Sequence, residues 1–199
     1  MASQVEIFNR ALIKLGAGRI TSMQDDSEAA RVGLAIWETV VKNELRANNW
    51  NFAIRRASLA ADVATPDWGF AYQYTQPVWC LKVIQVSEYY LGVSLTDYRG
   101  YSEAPYKIEG RKILTDLGAP LPIRGIQFVE DTAQWDACFV EAVASRLADQ
   151  GCERITQSNT KRESALIDYK RAIDDALEAN ALEIPSEPLP DDSWIISRL

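Results

Sequence analysis

The 199-residue chain predicts a mainly helical α+β fold: a four-helix bundle of two N-terminal and two C-terminal helices, an inserted antiparallel β lobe, and an extended C-terminal tail. Three observations predict it. Apolar residues recur at helical spacing before residue 49 and after residue 131, and between them the period drops to strand-like alternation. Finally, Pro185, Pro188 and Pro190 fix φ and remove backbone donors, so no helix runs through the last seventeen residues. The expected domains are therefore a bundle over 1–49 and 131–182, a β lobe over 50–130, and an anchor over 183–199.

Ser3 and Glu6 form a capping box, followed by Ile7, Phe8, Ala11, Leu12 and Leu15 on one helical face. Gly16 and Gly18 stop that helix. Asp26 or Ser27 can cap a long second helix with the stripe Ala30, Leu34, Trp37, Val41 and Leu45, and Asn48 or Asn49 suits a left-handed terminator. Trp50, Phe52 and Ile54 then alternate as a strand does, as do Phe70, Tyr72 and Tyr74. Val78 to Val86 reads as a central strand. Tyr106 to Leu114 reads as a hairpin turning at Glu109-Gly110, and Ile123 to Val129 as a final strand at an edge, after two prolines. Helix resumes at a cap on Asp131 or Thr132, with Trp135, Cys138, Phe139, Ala142, Val143 and Leu147 on one face. The last helix carries Leu166, Tyr169, Ile173, Ala176 and Leu177.

Composition narrows the function. No apolar run approaches the 18 residues of a membrane span, and the first residues lack the basic and apolar regions of a signal peptide, so a cytoplasm-like site of synthesis is expected. There are three cysteines in no C-x-x-C spacing and no histidine. That removes imidazole-based nucleophile systems and the commonest transition-metal ligand, and it argues against a zinc site or a disulfide framework. Net charge is −7, and the span from Trp50 to Glu130 is neutral, so the acidic excess lies in the flanks. A nucleic-acid-gripping surface would show a basic stripe instead.

The carboxylate pairs Asp25–Asp26, Glu130–Asp131, Asp174–Asp175 and Asp191–Asp192 are the remaining catalytic material. Glycoside hydrolysis needs two carboxyls facing each other across a sugar at roughly 5–9.5 Å. Helical neighbours diverge by about 100°, so these pairs read as caps and solvated faces. Gly16-Ala-Gly18 follows a helix and has no Lys-Ser/Thr after it, which excludes a phosphate cradle. Trp37, Trp50, Trp79 and Trp135 fall in apolar patterns and read as core, whereas Trp68 and Trp194 escape them. No catalytic residue, cofactor or metal is expected.

The tail ends in Trp194, Ile195, Ile196 and Leu199, preceded by Ile184, Pro185 and Leu189. Burying large apolar side chains is worth roughly 1.5–3 kcal/mol each, so the segment either caps its own core or anchors on another molecule. The second reading is the sharper.

Several pieces stand in order: Phe8-Asn-Arg-Ala-Leu-Ile-Lys-Leu-Gly16, the helix from Ser27 ending in Asn49-Trp50-Asn51-Phe52, and Trp68-Gly-Phe-Ala-Tyr-Gln-Tyr74 followed by Pro77. The Tyr106-Lys-Ile-Glu-Gly-Arg111 hairpin, the helix Trp135 to Leu147 and the closing Asp192-Ser-Trp-Ile195 complete the set. Together they resemble the tail tubular protein A family, the head-to-tail adaptors of short-tailed bacteriophages. Residues 92–104 match nothing in that pattern. The resemblance implies a helical bundle with a β insertion, assembled as a homo-oligomeric, twelvefold ring at the head–tail junction of the virion, after synthesis in the host cytoplasm. A portal protein would lie on one side and a tail nozzle protein on the other. Double-stranded DNA would pass the lumen without specific binding, and no membrane would be involved. Ile184, Pro185, Leu189, Trp194, Ile195, Ile196 and Leu199 would form the portal or subunit interface. Trp68, Tyr98, Tyr101, Arg111 and Lys112 are candidates for nozzle or neighbour contacts. A virion-associated glycan hydrolase and a non-enzymatic scaffold module are the alternatives.

Overall fold

The computed structural model describes residues 2–87 and 106–183. They form four helices and two small antiparallel sheets, a mainly helical α+β fold, in two compact units. The helical unit comprises 2–53 and 128–183, and the β unit 54–87 and 106–127. The tail interface residues and Tyr98 and Tyr101 lie outside the described residues.

In the helical unit, α1 (Gln4–Leu15) starts with the predicted reciprocal capping box and ends on Gly16 in the left-handed region. The Nζ of Lys161 donates to the Leu15 carbonyl at 2.7 Å, supplying a partner to an otherwise orphaned helix-end acceptor. Helix α2 (Glu28–Ala47) is capped by the Ser27 side chain. Its terminator Asn48 is extended, not left-handed as its residue type suggested. Of the predicted α2 stripe, Ala30, Val41 and Leu45 are buried and Trp37 is half-buried, but Leu34 gives way to Gly33. Gly33 is buried while Leu34 is 55% exposed, because the Phe8 ring fills the space beside position 33 and a Cβ there would lie 2.6 Å from Phe8 Cζ.

Trp50 is buried and Asn51–Ala53 form a 3-10 turn, so the alternation read there as a strand reflects aromatic side chains entering the helical core. A second 3-10 turn, Thr132–Gln134, is capped by Asp131, and Asp136 restarts the chain as α3 (Ala137–Thr156) by accepting from the amides of Cys138 and Phe139. Trp135 therefore precedes α3 and Cys138 is half-buried, whereas sequence spacing set both on a helical core stripe. Half of the twenty residues of α3 are buried, and it packs against each of the other three helices. Phe139 sits in an aromatic cluster, its ring 4.8 Å from Trp50, 5.0 Å from Phe52 and 5.2 Å from Trp135, and Trp135 stacks on Trp37 at 6.0 Å. Both indoles that this cluster buries donate to carbonyls, Trp50 to Glu44 and Trp135 to Val129, so neither polar tip is orphaned.

Helix α4 (Asn159–Leu182) buries Ala165, Ala172 and Ala176. Of the expected stripe, Ala176 is buried and Tyr169, Ile173 and Leu177 are half-buried, but Leu166 is exposed and Ala165 beside it faces inward. Small side chains let α4 lie close, and its C-terminal end is held by polar contacts. Asn51 donates from its amide to Asn180 Oδ1 (2.9 Å) and from Nδ2 to the Asn180 carbonyl (2.8 Å), and Asn180 Nδ2 donates to the Asn49 carbonyl (3.1 Å).

In the β unit, β1 (Ile54–Leu59), β6 (Leu121–Gln127) and β3 (Cys80–Val86) form one sheet in the order β1-β6-β3. The strand expected at an edge, β6, is thus central, and the one expected to be central, β3, is lateral. The sequence showed the prolines, but the strand order arises from long-range pairing. Pro122 sits opposite Ser58, within the β1–β6 register. The second sheet, β2-β5-β4, comprises Tyr72–Thr75, Lys112–Thr115 and Tyr106–Glu109, and its β4–β5 hairpin turns at Gly110-Arg111. Tyr74 and Ile113 from this sheet pack with Val86, Leu121 and Ile123 from the other, so the core of the unit lies between the two sheets.

Two substitutions test this packing. Gly33→Ala should lower stability by about 1–3 kcal/mol through overpacking against Phe8, whereas Leu34→Ala, at an exposed site, should stay within about 0.5 kcal/mol. Urea unfolding midpoints of the two variants check the contrast.

Candidate interaction surface

Register sorts the side chains of the second sheet onto two faces. Tyr74, Ile113 and Thr115 point into the core, and the opposite face carries Gln73, Leu114 and Lys107 in one cross-strand row and Thr75, Lys112 and Glu109 in the next. The loop preceding β2 is laid over this second face. Thr65, Pro66, Asp67, Trp68, Gly69 and Phe70 complete the walls of a groove of about 370 Å³ with Gln73, Lys107, Glu109, Lys112 and Leu114.

The loop is held at both ends. The Asp62 amide donates to the Gln73 carbonyl at 2.9 Å, and the Ala71 amide donates to Asp116 Oδ1 at 2.8 Å. The Asp62 carboxylate accepts from Lys112 Nζ (2.5 Å) and from Thr75 Oγ1 (2.9 Å). The Lys112 contact leads the interactions that hold the Asp62 carboxyl below its usual range, against a smaller opposing effect of desolvation. Between these ties Gly69 adopts φ 89°, a left-handed conformation that glycine accommodates without strain. Its neighbour Trp68 is 85% exposed. Phe70 lies under the Lys107 ammonium, 5.8 Å from the ring centroid.

Three of the five residues proposed from sequence for neighbour contacts are described, and all three belong to this unit. Trp68 is free on the surface, and Lys112 floors the same groove while bonded to Asp62 and Thr75 (2.7 Å to its Oγ1). Arg111 is engaged from the hairpin turn, donating to the Pro77 carbonyl at 2.7 Å. Trp79, read as a core residue, is half-buried in the turn before β3 with the Arg55 guanidinium over its ring at 4.9 Å. Phe70, Lys107, Asp62 and Thr75 escaped sequence reading, because cross-strand register, which the chain does not print, is what assembles them.

A second polar cluster lies inside the helical unit. Glu44 on α2 is 4% exposed and accepts from the Tyr169 hydroxyl of α4 at 3.0 and 3.2 Å. Arg146 on α3 approaches Glu44 at 3.6 Å, pairs with Asp149 at 3.0 Å, and places its guanidinium 4.7 Å from the Tyr169 ring centroid. Burial pushes the Glu44 carboxyl up, against the Tyr169 hydrogen bond and Arg146, which favour the anion. Burial and then the Glu44 charge push the Tyr169 phenol up to about 12. A charged residue between Val41 and Leu45 in an apolar stripe was the signal that could have found this site.

Three of the carboxylates in the adjacent pairs act locally. Asp25 accepts from the Thr21 and Ser22 amides, Asp26 pairs with Arg31, and Asp131 caps a 3-10 turn. Among the described residues, no group of three or more His, Cys, Asp or Glu side chains is arranged to hold a metal ion, and no helix is long and apolar enough to cross a membrane.

No family model matches the chain, and comparison with curated proteins finds no match.

The Glu44 cluster yields two expectations. Tyr169→Phe should cost about 1–3 kcal/mol, because it strips a donor from a buried carboxylate. Since the folded Glu44 pKa lies above its unfolded value, the folded state binds the extra proton. The contribution is complete below the unfolded pKa and is lost as pH rises through the folded one. The stability difference between wild type and Glu44→Gln should therefore shift against the wild type as pH climbs above 4.5, the ordinary glutamate value. Urea titrations at a series of pH values measure both.

Proposed function

We propose that this chain is a non-enzymatic ring adaptor of a short-tailed bacteriophage, joining the portal of the capsid to the tail nozzle and letting double-stranded DNA pass. The observation that carries the reading is the ordered series of motifs from Phe8 to Ile195, which ends in an apolar, proline-stiffened segment. The α+β plan, helices from both ends of the chain with a β unit between them, is the one that resemblance implies. In the proposed ring, of twelve copies, the segment 184–199 is the anchor, and Trp194, Ile195, Ile196 and Leu199 fill apolar sites on the portal.

Charge supports the passage of DNA. The helical unit carries twelve basic and eighteen acidic side chains, and the span 54–127 carries eight and seven. A lumen built from such surfaces repels or ignores phosphate. A basic lumen would bind it with an affinity that climbs steeply as salt falls, and every contact would retard the moving duplex.

Truncation after Glu183 tests the anchor. That cut keeps the bond from Asn51 Nδ2 to Glu183 Oε2 at 3.2 Å, so the helical unit retains its closing contacts. The expected product unfolds with the wild-type midpoint and no longer co-sediments with portal rings. Undiminished co-sedimentation contradicts the anchor.

A further inference from the structure

The groove on the β unit has a surface suited to a proline-rich peptide, and the chain itself contains one. Aromatic-lined grooves bind P-x-x-P segments because prolines pre-set an extended polyproline helix and lose little entropy on docking. Pro185-Ser-Glu-Pro188-Leu-Pro190 has that spacing and is followed by Asp191 and Asp192. Trp68 offers an indole that is 85% exposed, with Pro66 and Phe70 beside it and Leu114 in the floor. We propose that residues 185–192 of one copy dock in the Trp68–Phe70 groove of a neighbouring copy. This deepens the adaptor reading and rests on it: the proline segment would tie adjacent protomers together, leaving the apolar tip beyond it for the portal.

Charge selects the β unit over the helical unit as the seat. The docking segment contributes Glu187, Asp191 and Asp192. An excess of six acidic side chains on the helical unit repels it, whereas the span 54–127 has one basic side chain in excess. The groove lining carries Lys107, which is exposed, Lys112, which is half-buried and held by Asp62, and the carboxylates Asp67 and Glu109. Lys107 is thus the cation that can meet Glu187 or Asp191. Only Ile184 separates Glu183 from the proline segment, and an extended chain spans at most about 3.3–3.6 Å per residue, so this docking requires a neighbour whose groove abuts the end of α4.

Photo-crosslinking of the full-length protein tests this. A benzophenone amino acid replaces Leu189, and the protein is mixed as isotopically heavy and light copies in the presence of portal rings, with crosslinks mapped by mass spectrometry. Expected are heavy–light crosslinks from position 189 to residues 65–73 or 107–114, reduced at least tenfold by Trp68→Ala. Exposure of Trp68 makes that variant fold normally, which an unchanged urea midpoint confirms. Crosslinks confined to one copy, crosslinks to the helical unit or to the portal, or a yield indifferent to Trp68→Ala each overturn the proposal. Co-sedimentation with portal, measured on the same samples, reports separately on the adaptor reading: retained co-sedimentation with misplaced crosslinks sinks only the docking site.

Discussion

Phe139 is where the helical unit closes. Its ring touches Trp50, Phe52 and Trp135, so one side chain of α3 binds the segment leaving α2 and the segment entering α3. These contacts join residues nearly ninety positions apart in sequence, on either side of the inserted β unit. An insertion between two helical pairs costs entropy because distant segments must find each other, and aromatic packing of this size offsets it. Truncating a buried phenylalanine typically costs about 3–5 kcal/mol, a large part of the stability of a domain. Among the described residues the chain crosses between the units at 53–54 and 127–128, beside this cluster in sequence.

Around that closure, attachment is graded. Helix α3 packs against all three other helices, whereas α4 buries mainly alanine and is secured by Tyr169 on Glu44, Lys161 on Leu15 and Asn180 on Asn51. Polar ties fix geometry at little net gain in free energy, so they set where α4 lies, and Asn180 where it ends, more than how tightly it is held. Its end matters because the proposed anchor departs from Glu183. In the β unit the same economy appears on a smaller scale. Asp62, Thr75 and Lys112 clamp the loop that presents Trp68, so an exposed indole is displayed from a fixed base.

Local chemistry was legible in the chain, and long-range pairing was not. The Ser3–Glu6 box, the Ser27 cap and the Gly16 terminator act within a few residues, and each stands where its residue types put it. Gly33 for Leu34 and Ala165 for Leu166 were misread because hydrophobic spacing weighs size, whereas close helix contact selects smallness. Trp50 and Phe52 mimicked a strand because aromatic residues at i and i+2 can both enter a core from a 3-10 turn. The order β1-β6-β3 depends on partners some seventy and forty residues apart, which alternation cannot reveal. For the candidate surface, Trp68 stood out as an aromatic beside glycine in a loop, but its companions Phe70 and Lys107 emerged only with the register of the second sheet.

The proposed role converges on a question of ownership: which molecule covers the apolar side chains that follow the last helix. The most direct measurement is a cryo-electron microscopy map of the chain bound to portal rings, resolved well enough to trace residues 184–199. The account predicts a ring of copies in which Trp194, Ile195, Ile196 and Leu199 of each are buried against a different polypeptide. A map in which those side chains fold back onto their own helices and touch nothing else contradicts it.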